Sequence, residues 1–135
     1  MKVFLSHARK DDALARDLRN ELERAGFSVW TAENQIFPGD NWARKIAKAL
    51  EQSHLMVFLL TPDAFQSEPL RQNLEFALGS KNYAERVFSV FVGPAKDASK
   101  GVPWILMRLP HWQVASAEEF REIGEAIREA SHANA

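Results

Sequence analysis

Leu55-Met56-Val57-Phe58-Leu59-Leu60 is an unbroken apolar run, preceded by Ser53-His54 and followed by Thr61-Pro62-Asp63. A strand with one wet face alternates polar and apolar residues. A run that is apolar on both faces reads as a central parallel strand, covered from both sides. Parallel neighbours need crossover connections, so helices are expected on either side of this run. Before it, Asn41–Gln52 places Trp42, Ile46, Ala49 and Leu50 on one helical face, with Asp40 or Asn41 as the cap. After it, Pro69 suits the first position of a helix that runs to about Leu78 and stops at Gly79.

The same alternation continues outward. Lys2–Ser6 reads as a short buried strand. Asp11–Ala25 reads as a helix with Leu14, Leu18, Leu22 and Ala25 on one face. Asp11 and Asp12 suit its first turn, and Gly26 suits the position just past its end. Phe27–Ala32 is a second strand, and Glu33–Asp40 a loop with Pro38-Gly39 as the turn signal. Arg86–Val92 is a fourth strand. Gly93–Pro110, with three prolines, reads as irregular. Trp112–Val114 is a short fifth strand, and Ala117–Ala130 a last helix with Phe120, Ile123 and Ile127 inward. Strands alternating with helices imply right-handed crossovers. The expected fold is α/β: a flavodoxin-like, doubly wound parallel sheet of five strands in order 2-1-3-4-5, with helices on both faces. One domain over residues 1–130 and a tail over 131–135 are expected.

At 135 residues the chain is the size of one domain with a single core. Its 17 Lys+Arg stand against 18 Asp+Glu, so charge gives no reason to expect nucleic acid or an anionic membrane. There is no cysteine, which excludes a disulfide framework and is compatible with the cytoplasm. The apolar stretch after Met1-Lys2 is too short for a signal peptide, and Leu55–Leu60 is far too short for a membrane span.

In such sheets ligands bind beyond the carboxyl ends of the strands, where strand order reverses. Here that place lies between the first and third strands. Ser6, His7 and Arg9 are delivered there from one side and Thr61 from the other. A phosphoacceptor site would need an aspartate where Thr61 stands. A flavin-phosphate loop would need Ser, Thr or Gly where His7-Ala8-Arg9-Lys10 stands. Neither chemistry fits. Ser6 and His7 are not a nucleophile and its base, because neighbouring strand residues point to opposite faces. His54, His111 and His132 have no metal-ligand spacing and read as surface or satisfied histidines. No metal and no required cofactor are expected.

Val3-Phe4-Leu5-Ser6-His7, Gly26-Phe27-Ser28-Val29-Trp30, Pro38-Gly39-Asp40, Ser67 with Leu74-Glu75-Phe76-Ala77-Leu78, and Val87-Phe88-Ser89-Val90-Phe91-Val92 occur in that order. Together they resemble a Toll/interleukin-1 receptor (TIR) domain of the bacterial type, over nearly the whole chain. The resemblance implies self-association through TIR–TIR contacts and a role in immune or defence signalling. Partners would be other TIR domains or a separate effector protein. It implies that the loop containing Gln35, Ile36, Phe37, Pro38, Gly39 and Asp40, with Trp42 beyond it, mediates assembly and gates the pocket. It also implies NAD+ as a substrate or ligand, since many members cleave the nicotinamide–ribose bond. That reaction resembles glycoside hydrolysis, with positive charge developing on the ribose.

A catalytic glutamate in the family pattern Ser-x-Trp-x-x-x-Glu-Leu-x-x-Ala-Leu falls on Asn73 here, and the tryptophan falls on Pro69. Asn73 can bond a ribose hydroxyl but supplies no negative charge. Glu75 is the weaker alternative: at about 100° per residue it projects roughly 200° away from position 73. Its plain reading is an i, i+4 surface pair with Arg71. Trp30 and Trp42 flank the loop and offer rings for a base. Trp42 reads more simply as core, while Trp30 fits either role. Trp104 and Trp112 are expected to cover the sheet edge. The reading favoured by Asn73 is a signalling or defence module acting through homotypic assembly. The alternative is an NAD+ glycohydrolase or cyclase, an NAD+ nucleosidase with an atypical site.

Overall fold

The Leu55–Leu60 run forms strand β3, buried along its whole length at the centre of a five-stranded sheet. The computed structural model describes residues 1–31, 39–79, 86–94 and 101–133, with the side chains of Trp42, Ala43 and Ala133 outside the description. In chain order the described elements are β1 (Lys2–His7), α1 (Asp12–Arg24), β2 (Ser28–Trp30), α2 (Trp42–Gln52), β3, α3 (Glu68–Gly79), β4 (Val87–Val92), α4 (Trp104–Arg108), β5 (His111–Val114) and α5 (Phe120–Ala133). The strand order is β2-β1-β3-β4-β5 and every pairing is parallel. This is the predicted flavodoxin-like arrangement.

Because strand side chains alternate, each central strand feeds two cores. Val3, Leu5, Val57, Leu59, Phe88 and Val90 pack against α1 and α5. Phe4, Met56, Phe58, Leu60, Val87 and Phe91 pack beneath α2, α3 and α4. The helices answer with Ala15, Leu18 and Leu22 from α1 and Phe120, Ile123 and Ile127 from α5 on the first face. Ile46, Ala49 and Leu50 from α2 and Leu70, Leu74 and Ala77 from α3 serve the second. In α2, Asn41 is the cap: its Oδ1 accepts from the Arg44 amide at 3.1 Å.

The structure departs from the sequence reading in four places. The stretch expected to be irregular contains α4, which Leu106 anchors in the core. The last helix continues through Ala133, and Ser131 is buried, so the residues assigned to a tail are largely its final turn. α3 begins at Glu68, which moves Pro69 one position further in. Trp112 packs edge-on against Phe88 at 5.7 Å, but Trp104 is 72% exposed rather than laid over the sheet edge.

Candidate functional site

The carboxyl ends of β1 and β3 lie side by side, with Ser6 beside Phe58 and His7 beside Leu59. The side chains that finish these strand ends differ on the two faces of the sheet.

On the α1 face the chain leaves β1 at Ala8 and tightens into a 3₁₀ turn over Arg9–Asp11, closed by the Asp11 amide on the Ala8 carbonyl at 2.9 Å. Three consecutive residues then grip the strand ends. Lys10 donates through Nζ to the Pro62 carbonyl. The Thr61 hydroxyl donates to Asp11 Oδ2 at 2.6 Å. His7 Nε2 lies 2.7 Å from Asp12 Oδ1. Asp11 is buried, and the other ring nitrogen of His7 is buried without a partner among the described residues. The start of α1 is a favourable place for both carboxylates. Their charge-assisted bonds tie the two central strands together through that helix.

On the opposite face the contact is neutral. Asn73, on α3, donates from Nδ2 to Ser6 Oγ at 2.9 Å. Ser6 is buried and Asn73 half-buried. Leu70, Leu74 and Ala77 hold α3 down, which aims Asn73 sideways at the end of β1. Two residues back along β1, Phe4 stacks on Trp30 with ring centres 4.8 Å apart and 21° between planes. Trp30, Phe4, Ser6 and Asn73 therefore share one face of the sheet.

The structure thus brings together Ser6, Asn73 and, along the same face, Trp30. It sends His7 and Thr61 to the other face, in agreement with the alternation argument. Arg9 is exposed on the 3₁₀ turn. Glu75 is exposed, and the expected Arg71–Glu75 pair does not form, because Arg71 reaches back to the Phe65 carbonyl. Gln35, Ile36, Phe37, Pro38 and the side chain of Trp42 lie outside the described residues. At the loop's far end, Gly39 adopts φ +91°, a conformation that glycine takes readily. Asp40 accepts from Lys45 Nζ at 2.8 Å. His54 accepts from the Lys2 amide, and His111 Nδ1 lies 2.8 Å from the Leu109 carbonyl; both are satisfied, as expected.

The sequence reading missed the partners of Asp11 and Asp12. The acidic pair after β1 was visible, but the helix start accounted for it without calling for a strand-end partner. Among the described residues no cluster of three or more His, Cys, Asp or Glu is placed to hold a metal, and no helix is long and apolar enough to cross a membrane.

A family model described as TIR domain matches residues 3–123. The chain is 31% identical over 98 residues to the NAD(+) hydrolase PdTIR of Paracoccus denitrificans, a match covering 70% of this chain and 32% of that protein. It is 35% identical over 60 residues to the 2' cyclic ADP-D-ribose synthase BtTIR of Bacteroides thetaiotaomicron, covering 44% of this chain and 21% of the relative. The matches therefore span only about a fifth to a third of these relatives' lengths. Among solved structures it resembles the TIR domain of the Toll-related receptor TRR-2 from Hydra magnipapillata, at a TM-score of 0.71 and 21% identity, over 93% of this chain and 97% of that one.

Proposed function

The chain belongs to the TIR-domain family, and on that footing we propose that it is a signalling or defence module that works by binding and homotypic assembly rather than by cleaving NAD+. The observation that carries this reading is the neutral Asn73–Ser6 pair at the end of β1. Asn73 stands in the register of the family's catalytic glutamate. Cleavage of the nicotinamide–ribose bond develops positive charge on the ribose, and fixed negative charge beside it lowers the barrier. An amide offers hydrogen bonds there but no charge. Losing one preorganised electrostatic group commonly costs about 10² to 10³ in rate. The described acidic groups next to the strand ends, Asp11 and Asp12, are turned to the other face and engaged by Thr61 and His7.

Assembly in this reading runs through the loop that includes Gly39 and Asp40, and NAD+ is a ligand rather than a fuel. Partners are other TIR domains or a separate effector. A second reading, an NAD+ nucleosidase using Glu75, is favoured by the similarity to a relative named NAD(+) hydrolase over 70% of this chain.

One experiment separates the two. NAD+ loss is followed by chromatography at high protein concentration for the native chain, Asn73→Glu and Glu75→Ala. The binding reading expects a silent native chain and Glu75→Ala, with activity appearing in Asn73→Glu. Native turnover that disappears in Glu75→Ala would establish the enzyme instead.

A further inference from the structure

We infer that the turn leading from β3 toward α3, Thr61-Pro62-Asp63-Ala64, is a two-position switch latched by the charge on Lys10. The ammonium holds the Pro62–Asp63 peptide in the orientation that Asp63 favours less, and without that charge the peptide flips.

The turn closes with the Ala64 amide on the Thr61 carbonyl at 3.0 Å. Its third residue, Asp63, has φ +66° and ψ +14°. Its second, Pro62, has φ fixed near about −65° by the ring. With a left-handed third residue, these are the angles of a type II turn, whose third position calls for glycine or asparagine. Asp63 is the one non-glycine residue with positive φ among the described residues. Type I suits Pro62-Asp63 better. It also takes proline second, and its third residue has φ near about −90°, which L residues adopt more readily. The two types differ by roughly half a turn of the central peptide. The φ of the second residue and the ψ of the third are nearly the same in both. A flip therefore leaves the flanks in place: Thr61 on Asp11, the Gln66 amide on the Asp63 carbonyl at 3.1 Å, and Ala64 buried.

Lys10 selects type II. Its Nζ donates to the Pro62 carbonyl, which points at it in this orientation alone. After a flip the Asp63 N–H would replace that oxygen and set a donor against the ammonium. One orientation thus gains a charge-assisted bond and the other a repulsion. The proline ring rests against the Gly93 backbone, where an added Cβ would lie 3.5 Å from Pro62 Cδ. Gly93 is held in turn by Gln113 Nε2 on its carbonyl at 2.7 Å. With ring and flanks seated, Asp63 is relieved by a peptide flip rather than by displacement of the whole turn. The left-handed aspartate and a single bond to a charged group are energies of the same small order, so removing the bond reverses the balance. The flip exchanges an acceptor for a donor at the carboxyl end of β3, the end at which open sheets of this kind bind ligands.

The test is nuclear magnetic resonance on the isotope-labelled chain. It reads the cross-relaxation between the Pro62 α-proton and the Asp63 amide proton, which lie close in type II and apart in type I. The native chain is expected to show it strongly. Lys10→Met keeps length and removes the donor, and is expected to move the ratio of the two turns about tenfold toward type I, the effect of one hydrogen bond to a charged group. Lys10→Arg keeps charge and donor, and is expected to retain the native signal. Lys10→Met with Asp63→Gly removes latch and strain together, and is expected to recover it, because glycine takes the left-handed third position freely. Lys10 is exposed, so these replacements leave the core intact, which the remaining amide shifts verify. A native chain without the signal, a Lys10→Met chain that keeps it, a Lys10→Arg chain that loses it, or a double variant that fails to recover it would each overturn the inference.

Discussion

At the tips of β1 and β3 the two faces of one sheet are finished in opposite ways. The α1 face is sealed by charge: Asp11 holds Thr61, Asp12 holds His7 and Lys10 holds the Pro62 carbonyl. The α3 face has, among the described residues, a neutral bond between Asn73 and Ser6, beside a half-buried aromatic ring. The sealed face also has tightly packed helices, since α5 passes α1 so closely that only a glycine fits at position 124. The open face leaves Phe76 and Leu78 of α3, and Trp104 and Met107 of α4, exposed. The difference separates two ways of finishing a strand: charge-assisted bonds tie the tips together on the α1 face, and a neutral amide–hydroxyl contact finishes the α3 face.

Breaking the sealed face at its tightest point should give the largest effect. A Cβ on Gly124 would sit 2.9 Å from the Glu21 carbonyl oxygen, which is backbone and has little room to yield. Helix propensity alone favours Gly124→Ala by about 1 kcal/mol. Overpacking costs about 1–3 kcal/mol and should win, because the two helices must separate along their length. Urea unfolding should show a lower midpoint at unchanged slope. A stabilised variant would mean that α1 and α5 are not packed this closely.

A matched pair of substitutions sharpens the contrast directly. Thr61→Val keeps shape and leaves the buried Asp11 carboxylate without its hydroxyl donor. The expected loss is about 2 kcal/mol, in the range for hydrogen bonds to charged groups. Ser6→Ala removes a neutral acceptor from Asn73, whose amide can turn to water. The expected loss there is about 0.5–1 kcal/mol. Chemical denaturation of both variants checks the order. Equal losses would erase the distinction between the faces.

How much of this was legible in the sequence follows from the range of each interaction. The sheet was legible because Leu55–Leu60 and the surrounding helix periodicities are local signals, and strand order follows from crossover rules. α4 was not, since a five-residue helix is too short to display a period and prolines surround it. Leu106, held in the core, fixes it through tertiary packing instead. Ser6 and Asn73 were each legible as pocket candidates, but their contact joins positions 67 apart and needs the fold to appear. Asp11 was misjudged for the same reason: the helix start explained it locally, while its partner Thr61 lies 50 residues on. The Arg71–Glu75 pair failed as a local inference because the Phe65 carbonyl, presented by the 3₁₀ turn over Ala64–Gln66, competes for the guanidinium.

The smallest expected effect has the opposite sign and probes the open face from within. Ser89 is wholly buried on β4, between Phe58 and His111 on the neighbouring strands, and its hydroxyl has no partner among the described residues. By strand alternation it belongs with Val87 and Phe91 to the core beneath α3 and α4. A buried hydroxyl without a hydrogen bond loses its water and receives nothing in return, at about 1–3 kcal/mol from mutational data. Ser89→Ala removes that oxygen and leaves a void of roughly one atom, whose lost contacts offset part of the gain. The net expectation is a stabilisation of about 0.5–1 kcal/mol, read as a raised urea midpoint with unchanged slope. A loss of stability would mean that the hydroxyl is bonded in solution, by water or by residues outside the described set. The core beneath the Asn73 wall would then be wetter than its apolar lining implies.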